Sequence, residues 1–357
     1  MHSVFFFLYI IAITLTCLAC SNTATLPAPP PAAATIFTSV IDPVPSSENS
    51  LAVEPTTAVQ PTFSPPSGLR VLYLRDGNLW FWTEEDQNVL LTDTGNLTAL
   101  RLSGDGGLLA FMRGPEVWTI HMDGTQARLL ITQEKDGGTL SFSPDGSLLA
   151  VSTTDRFEVI DLETGASSTI LTYPTLPAGY FPQIGWSPDS TGLKTVIPPG
   201  TGAGQAEFLY IFLNGKKASL AKFEMVAAAD SSAFLSPDGG YVIYVGQLKD
   251  GRDSLFLMDS SGAAKPYGDP AESVRAYGWL PDSKHFIYFH EGAKQSYLGD
   301  VSGGPPIEIE VPNFESVRWL DMETYLAIRN DNLYLGNVNG GEMPVAQDVV
   351  DFDFEFR

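Results

Sequence analysis

Gly185-Trp186-Ser187-Pro188-Asp189 has the outline of a nucleophile turn, with a serine two residues after a glycine. A hydrolase elbow needs a second glycine two residues beyond the serine, so that the strained turn can expose the hydroxyl. Asp189 stands there instead. The same turn also recurs, which points to architecture and not to catalysis. Its aspartates, Asp105, Asp145, Asp189, Asp238 and Asp282, can be read as a ring of carboxylates. Asp bonds back to its own turn, so turn capping is the favoured reading.

The other reactive side chains are few. The histidines are His2, His121, His285 and His290. His285 and His290 lie five apart around an apolar run, and on a strand an odd spacing sends them to opposite faces, so they do not form a ligand pair. Cys17 and Cys20 both sit near the N-terminus, which leaves the body of the chain without a disulfide, a thiolate cluster or a cysteine nucleophile. Gly104-Asp105-Gly106-Gly107 has neither a lysine nor a following helix, so it is no phosphate loop. Asp351, Asp353 and Glu355 alternate with apolar residues and share one strand face. If that strand lines a channel, a solvated acidic lining is expected, with a calcium ion as the alternative. No catalytic residue, metal site or cofactor is assigned.

The chain has 357 residues and is 44% hydrophobic, enough for one large domain or two smaller ones. Its net charge of −22 repels phosphate backbones, so nucleic acid is not an expected partner.

The elements that hold these residues are repeats. Ser103-Gly104-Asp105-Gly106, Ser143-Pro144-Asp145-Gly146, Ser187-Pro188-Asp189-Ser190, Ser236-Pro237-Asp238-Gly239 and Leu280-Pro281-Asp282-Ser283 are each followed by an apolar, strand-like run. Degenerate copies frame them at Pro65-Pro66-Ser67-Gly68 and Leu320-Asp321-Met322-Glu323. Measured at positions 67, 105, 145, 189, 238, 282 and 322, the spacings are 38, 40, 44, 49, 44 and 40 residues. A period of about 40 to 45 with short apolar runs and turn residues marks four-stranded propeller blades. A second turn recurs in step, as at Asp123-Gly124, Asn214-Gly215 and Asp259 to Gly262. Each unit reads strand, Ser-Pro-Asp-Gly turn, strand, variable loop, strand, Asp/Asn-Gly turn, strand. The expected fold is all-β: a seven-bladed β-propeller of four-stranded antiparallel blades over residues 67–357, with six blades possible. Phe142, Trp186, Phe234, Trp279 and Trp319, just before the turns, are expected to fill the wedges between blades. The alternating tail from Val350 to Phe356 is the favoured closing strand of the first blade, and Ala58 to Phe63 is the alternative.

The repeat resembles the WD40-like (PD40) unit of the TolB family of propellers, over about Ser67 to Arg357. The resemblance implies the fold. It also brings to mind the propellers that precede the hydrolase domain of prolyl-oligopeptidase-like enzymes. No stretch of this chain matches that hydrolase domain or the α/β domain ahead of the TolB propeller.

The front of the chain reads as an address. Val4 to Ala19 is apolar and uncharged, shorter than the roughly 20 residues of a membrane span, and residues 1–19 fit a signal peptide. Leu18-Ala19-Cys20 resembles the lipobox of bacterial lipoproteins, which implies cleavage before Cys20 and acylation of that residue. Secretion is the alternative. Residues 20–66, rich in Pro, Ala, Thr and Ser, read as a disordered tether.

The functional expectation is a non-catalytic, membrane lipid-anchored cell-envelope protein whose propeller binds a protein or peptide. The alternative is a propeller enzyme or a glycan or peptide binder using the central channel. The longest insertion within a blade, Pro198 to Glu207, is the candidate binding loop, with Pro198, Thr201, Gln205 and Glu207 as its contact residues.

Overall fold

Short runs rich in Val, Ile, Leu, Phe and Tyr, separated by Asp, Asn and Gly, form strands throughout. The computed structural model of the chain describes residues 64–356 except Lys135, Thr201, residues 228–232 and Glu272. The signal peptide, Cys20, most of the tether, the strand at Ala58 to Phe63 and Thr201 therefore lie outside the described residues. Within them every regular element is a β-strand, and the strands form seven four-stranded antiparallel sheets.

Blade 1 contains β1 (Leu69–Arg75), β2 (Asn78–Trp82) and β3 (Val89–Leu90). Blade 2 is β4 (Leu97–Leu102), β5 (Leu108–Arg113), β6 (Glu116–His121) and β7 (Arg128–Thr132). Blade 3 is β8 (Thr139–Phe142), β9 (Leu148–Ser152), β10 (Arg156–Asp161) and β11 (Ser167–Thr172). Blade 4 is β12 (Gly185–Trp186), β13 (Gly192–Ile197), β14 (Gly202–Phe212) and β15 (Lys217–Ala227). Blade 5 is β16 (Phe234–Leu235), β17 (Tyr241–Gln247), β18 (Asp253–Asp259) and β19 (Ala264–Ala271). Blade 6 is β20 (Val274–Trp279), β21 (His285–His290), β22 (Gln295–Asp300) and β23 (Ile307–Ile309). Blade 7 is β24 (Ser316–Trp319), β25 (Thr324–Arg329), β26 (Asn332–Asn337) and β27 (Glu342–Ala346).

The last strand, β28 (Val349–Phe356), returns to blade 1 and pairs with β1, from Leu69↔Phe356 to Leu74↔Asp351. It is the inner strand of that blade, so the sheet order is β28-β1-β2-β3. The ring thus closes with the C-terminal strand, which joins the two ends of the fold and removes an open edge. The count is seven blades, not six.

The core is not one mass. It is seven clusters, each drawn from two adjacent blades. Leu149 and Val151 of blade 3 join Ala110 and Met112 of blade 2. Phe157 and Ile170 of blade 3 join Leu209 and Ile211 of blade 4. Tyr73 and Phe352 of blade 1 join Leu326 and Leu333 of blade 7. Burying a side chain such as Leu contributes about 1.5–3 kcal/mol, and here that gain exists only when a neighbouring blade is present.

Four of the five wedge aromatics pack toward the preceding blade: Phe142, Trp186, Trp279 and Trp319. Phe234 does not. It lies one residue further from its turn, and a one-residue step flips a strand side chain to the other face. Leu235 takes the wedge with blade 4, and Phe234 packs toward blade 6.

The repeated turn is a small hydrogen-bonded device. In blade 3 the Ser143 hydroxyl donates to Asp145 Oδ1 at 2.6 Å and accepts the Leu148 N–H at 2.9 Å. Asp145 Oδ1 also accepts the Ser147 N–H at 3.1 Å. The Ser-to-Asp bond recurs at Ser103–Asp105, Ser187–Asp189 and Ser236–Asp238. In blade 6, where Leu280 replaces the serine, Asp282 accepts the Lys284 and His285 N–H groups. In blade 7 the capping residue is Asp321, one place before the position that the repeat spacing indicates.

Candidate functional site

The inner strands surround a cavity of ≈ 850 Å³. Its charged lining comes from three neighbours in the ring: Arg101 on β4, Arg318 on β24 and Asp353 on β28. Asp351 lies two residues earlier on β28, on the same strand face as Asp353.

These groups form one network. Asp351 Oδ2 accepts the Leu100 N–H at 3.0 Å and Arg101 Nη1 at 3.1 Å. Asp353 Oδ2 accepts the Leu102 N–H at 2.9 Å. Arg318 reaches both acids, Asp351 at 3.5 Å and Asp353 at 3.4 Å. Its guanidinium also lies over the Phe352 ring, 5.4 Å from the centroid. Glu355 pairs with Arg70 at 2.6 Å. The acidic face of β28 is therefore neither a solvated lining nor a calcium site, because arginines neutralise it: Arg101 and Arg318 of the flanking blades at Asp351 and Asp353, and Arg70 of its own blade at Glu355. Among the described residues no group of three His, Cys, Asp or Glu could hold a metal. Burial, and then the nearby Arg318 charge, push Arg101 below the ordinary guanidinium pKa.

Aromatic side chains, among them Trp186, Trp279 and Trp319, share the remaining wall with aliphatic and small polar residues. Trp186 Nε1 donates to the Ser141 carbonyl at 3.1 Å, and Trp279 Nε1 to the Phe234 carbonyl at 2.9 Å, each in the preceding blade. Trp319 Nε1 is buried without a partner among the described residues. Burial holds the Tyr180 and Tyr277 phenols protonated, each pushed up to about 12. The Tyr277 hydroxyl donates to Asn313 and accepts the Phe314 N–H at 3.2 Å. The cavity thus presents aromatic faces and paired guanidinium groups. The turn aspartates have their Oδ1 oxygens committed to their own turns, and hydrogen bonding holds the Asp145 carboxyl down to about 2.

The histidines lie apart. His285 sits between two acids, Nδ1 at 2.6 Å from Asp282 and Nε2 at 3.2 Å from Asp300. His290 is at the far end of the same strand, where its Nδ1 accepts the Ala293 N–H.

The candidate binding loop is shorter than the sequence suggests. Residues from Gly202 onward belong to β14, paired in register with β15. Pro198, Gln205 and Glu207 do not line the channel. They line a smaller cavity of ≈ 240 Å³ whose other wall includes Tyr173 and Pro174 of the blade 3 side. Arg101 and Arg318 escaped the sequence reading. Both stand two residues before the start of their turn, a shared repeat position that aligning the units would have exposed.

No family model matches the chain, and no curated protein matches it in sequence. Solved structures do. The tricorn protease is similar over 82% of this chain and 34% of its own, with 13% identity and a TM-score of 0.57. An oligogalacturonate lyase from Vibrio parahaemolyticus is similar over 79% and 87%, with 15% identity and a TM-score of 0.55. TolB from Acinetobacter baumannii is similar over 80% and 81%, with 17% identity and a TM-score of 0.48. For the tricorn protease and the lyase, at these identities, the likeness is one of fold.

Proposed function

We propose that the propeller is a non-catalytic binding scaffold of the cell envelope, held to a membrane through a lipid on Cys20, and that a protein or peptide partner engages the channel. The observation that carries this reading is the lining: Trp186, Trp279, Trp319 and two arginines around ≈ 850 Å³. Trp, Tyr and Arg dominate the energetics of protein interfaces because they combine large contact area with directed polar groups. The acids nearest the channel, Asp351 and Asp353, are tied to arginines and backbone amides, and the phenols are held protonated. The test is capture from membranes with the purified chain as bait. A specific partner retained by the wild type and lost from Trp279→Ala supports the reading. Equal capture by both removes it.

A second reading rests on the arginine pair, whose planar forks suit carboxylates. Under it the channel takes a carboxylated glycan or peptide, with turnover as in a lyase. Calorimetry and product assays with oligogalacturonate on the wild type and Arg318→Ala decide between the two.

A further inference from the structure

The outermost strand of a propeller blade is an open edge with unpaired backbone groups. Here most of these edges are short: β3 has 2 residues, β7 has 5, β11 has 6, β19 has 8, β23 has 3 and β27 has 5. The edge strands β19 and β27 also contain Pro266, Pro270 and Pro344, which cannot donate to an added strand. The blade 4 edge differs. β15 has 11 residues and no proline or glycine. Its pairing with β14 runs from Gly202↔Ala227 to Ile211↔Lys217, while β13 stops at Ile197↔Glu207. The hairpin therefore overshoots the rest of its blade.

The register sorts the β15 side chains by face. Lys217 lies opposite Ile211, Ser219 opposite Leu209 and Lys222 opposite Glu207. Leu209 and Ile211 pack against blade 3, so these three side chains, together with the exposed Glu224 opposite Gln205, share the blade 3 side, beside the ≈ 240 Å³ cavity that Lys217 and Lys222 help to line. On the other face Phe223 and Met225 are buried against blade 5, with the Phe223 ring 4.3 Å from that of Tyr244. One face is anchored and the other is open. Lys222 has a long contact with Glu207 at 3.9 Å. Blade 4 carries Lys194, Lys216, Lys217 and Lys222 against Asp189, Glu207 and Glu224, in a chain whose net charge is −22.

We infer that β15 is a docking edge for an extended acidic segment of another protein, which adds to blade 4 as a fifth strand and sets two carboxylates against Lys217 and Lys222. Backbone bonds along an edge supply affinity without regard to sequence, and side chains on alternate positions supply selection. Lysines on an edge usually repel a second strand of the same kind. They do so here in the antiparallel register that sets Lys217 of one β15 strand opposite Lys222 of another, between two strongly acidic chains. The same charges admit an acidic strand. Lys217 and Lys222 are five residues apart, and the bulge between Phe208 and Leu209 falls between them, so the matching carboxylates stand four apart on one face of the incoming strand.

The site is separate from the channel, so its test does not depend on the function proposed above. The probe is a labelled, end-blocked peptide, Thr-Glu-Val-Thr-Val-Glu-Thr, titrated into the full chain at low salt. Saturable binding is expected, weakened about tenfold or more by Lys217→Glu with Lys222→Glu, or by the same two residues changed to Ala. N-methylation of the peptide backbone abolishes it, and amide exchange over residues 217–225 slows on binding. No binding up to about 1 mM, or equal affinity for the charge-reversed chain, overturns the inference. So does strong protection, in the free chain, of the β15 amides that point away from β14, which would show the edge already occupied by its own tether or by a second copy.

Discussion

The hydroxyl oxygen of Ser283 accepts the backbone N–H of Asp238 at 3.0 Å, across the boundary between blades 6 and 5. Ser190 does the same for Asp145, from blade 4 to blade 3, at 3.3 Å. Both serines stand where the turns of blades 2, 3 and 5 have glycine, and both have a left-handed φ of 58°. At the matching positions Gly146 and Gly239 have φ of 71° and 65°. A side chain in that region costs about 1–2 kcal/mol, and an inter-blade hydrogen bond offsets it by about 1 kcal/mol.

That balance gives an ordered pair of outcomes. Ser283→Ala keeps the backbone strain, loses the bond and leaves the Asp238 N–H without its acceptor, so it is expected to destabilise by about 1–2 kcal/mol. Ser283→Gly loses the bond and relieves the strain, so its change is expected to lie within about 1 kcal/mol of zero. Denaturant unfolding of the two variants checks the order. Glycine proving the more harmful would refute the account.

The closing strand is held by contacts that differ sharply along its length. Phe352 is fully buried between blades 1 and 7, whereas Phe356 is 48% exposed. Phe352→Ala is expected to cost about 3–5 kcal/mol, and Phe356→Ala less than about 1 kcal/mol. Thermal unfolding measures both. Similar effects would mean that the ring is not closed by β28.

The arginines that flank β28 matter to its closure. Arg318→Ala leaves Asp351 and Asp353, both largely buried, with half of their compensation. A loss of about 2–3 kcal/mol is expected, less than for a fully buried pair because the side chains retain some contact with water. Amide exchange over residues 349–356 should rise more than elsewhere. Arg318→Lys keeps the charge but not the fork, and is expected to fall between the two.

Acid should open the turns. Asp105, Asp145, Asp189 and Asp238 all have carboxyl pKa values held below the ordinary Asp value, Asp145 down to about 2. For Asp105, Asp145 and Asp189 the chief cause is the serine hydroxyl. At Asp238 burial opposes the shift, and the hydrogen bonds from Ser236 and the Gly240 N–H outweigh it. A depressed folded-state pKa means stabilisation that is fully present above the unfolded-state value, near 4, and is lost as pH falls toward 2. The melting temperature of the wild type should therefore drop steeply between about pH 4 and 2. Asp145→Ala should be less stable than the wild type at neutral pH, with the gap narrowing over that window. A constant gap would show that the carboxylate charge is not what the turn uses.

The turns and their spacing could be read from the chain because their chemistry is local. Proline sets one dihedral, the Ser143 hydroxyl reaches an aspartate two residues on, and glycine takes the left-handed position that follows. Spacing then set the number of blades, and alternation in the tail marked a strand. Pro198 to Glu207 was misread as loop for the same reason: its glycines and prolines are local turn signals. The 11-residue pairing partner that makes Gly202–Phe212 a strand lies beyond the next turn, and strand formation follows pairing more than intrinsic preference.

The sequence by itself determined the repeating unit, the corner chemistry and the all-β architecture, since each depends on residues within a few positions of one another. Only the tertiary structure decided what the channel and the edges are. Arg101 meets Asp351 across 250 residues of chain, and the exposed flank of β15 exists because one hairpin outgrows its sheet. Charge neutralisation and open edges are properties of neighbours in space, and a linear chain does not record which of its distant parts become neighbours until the ring closes.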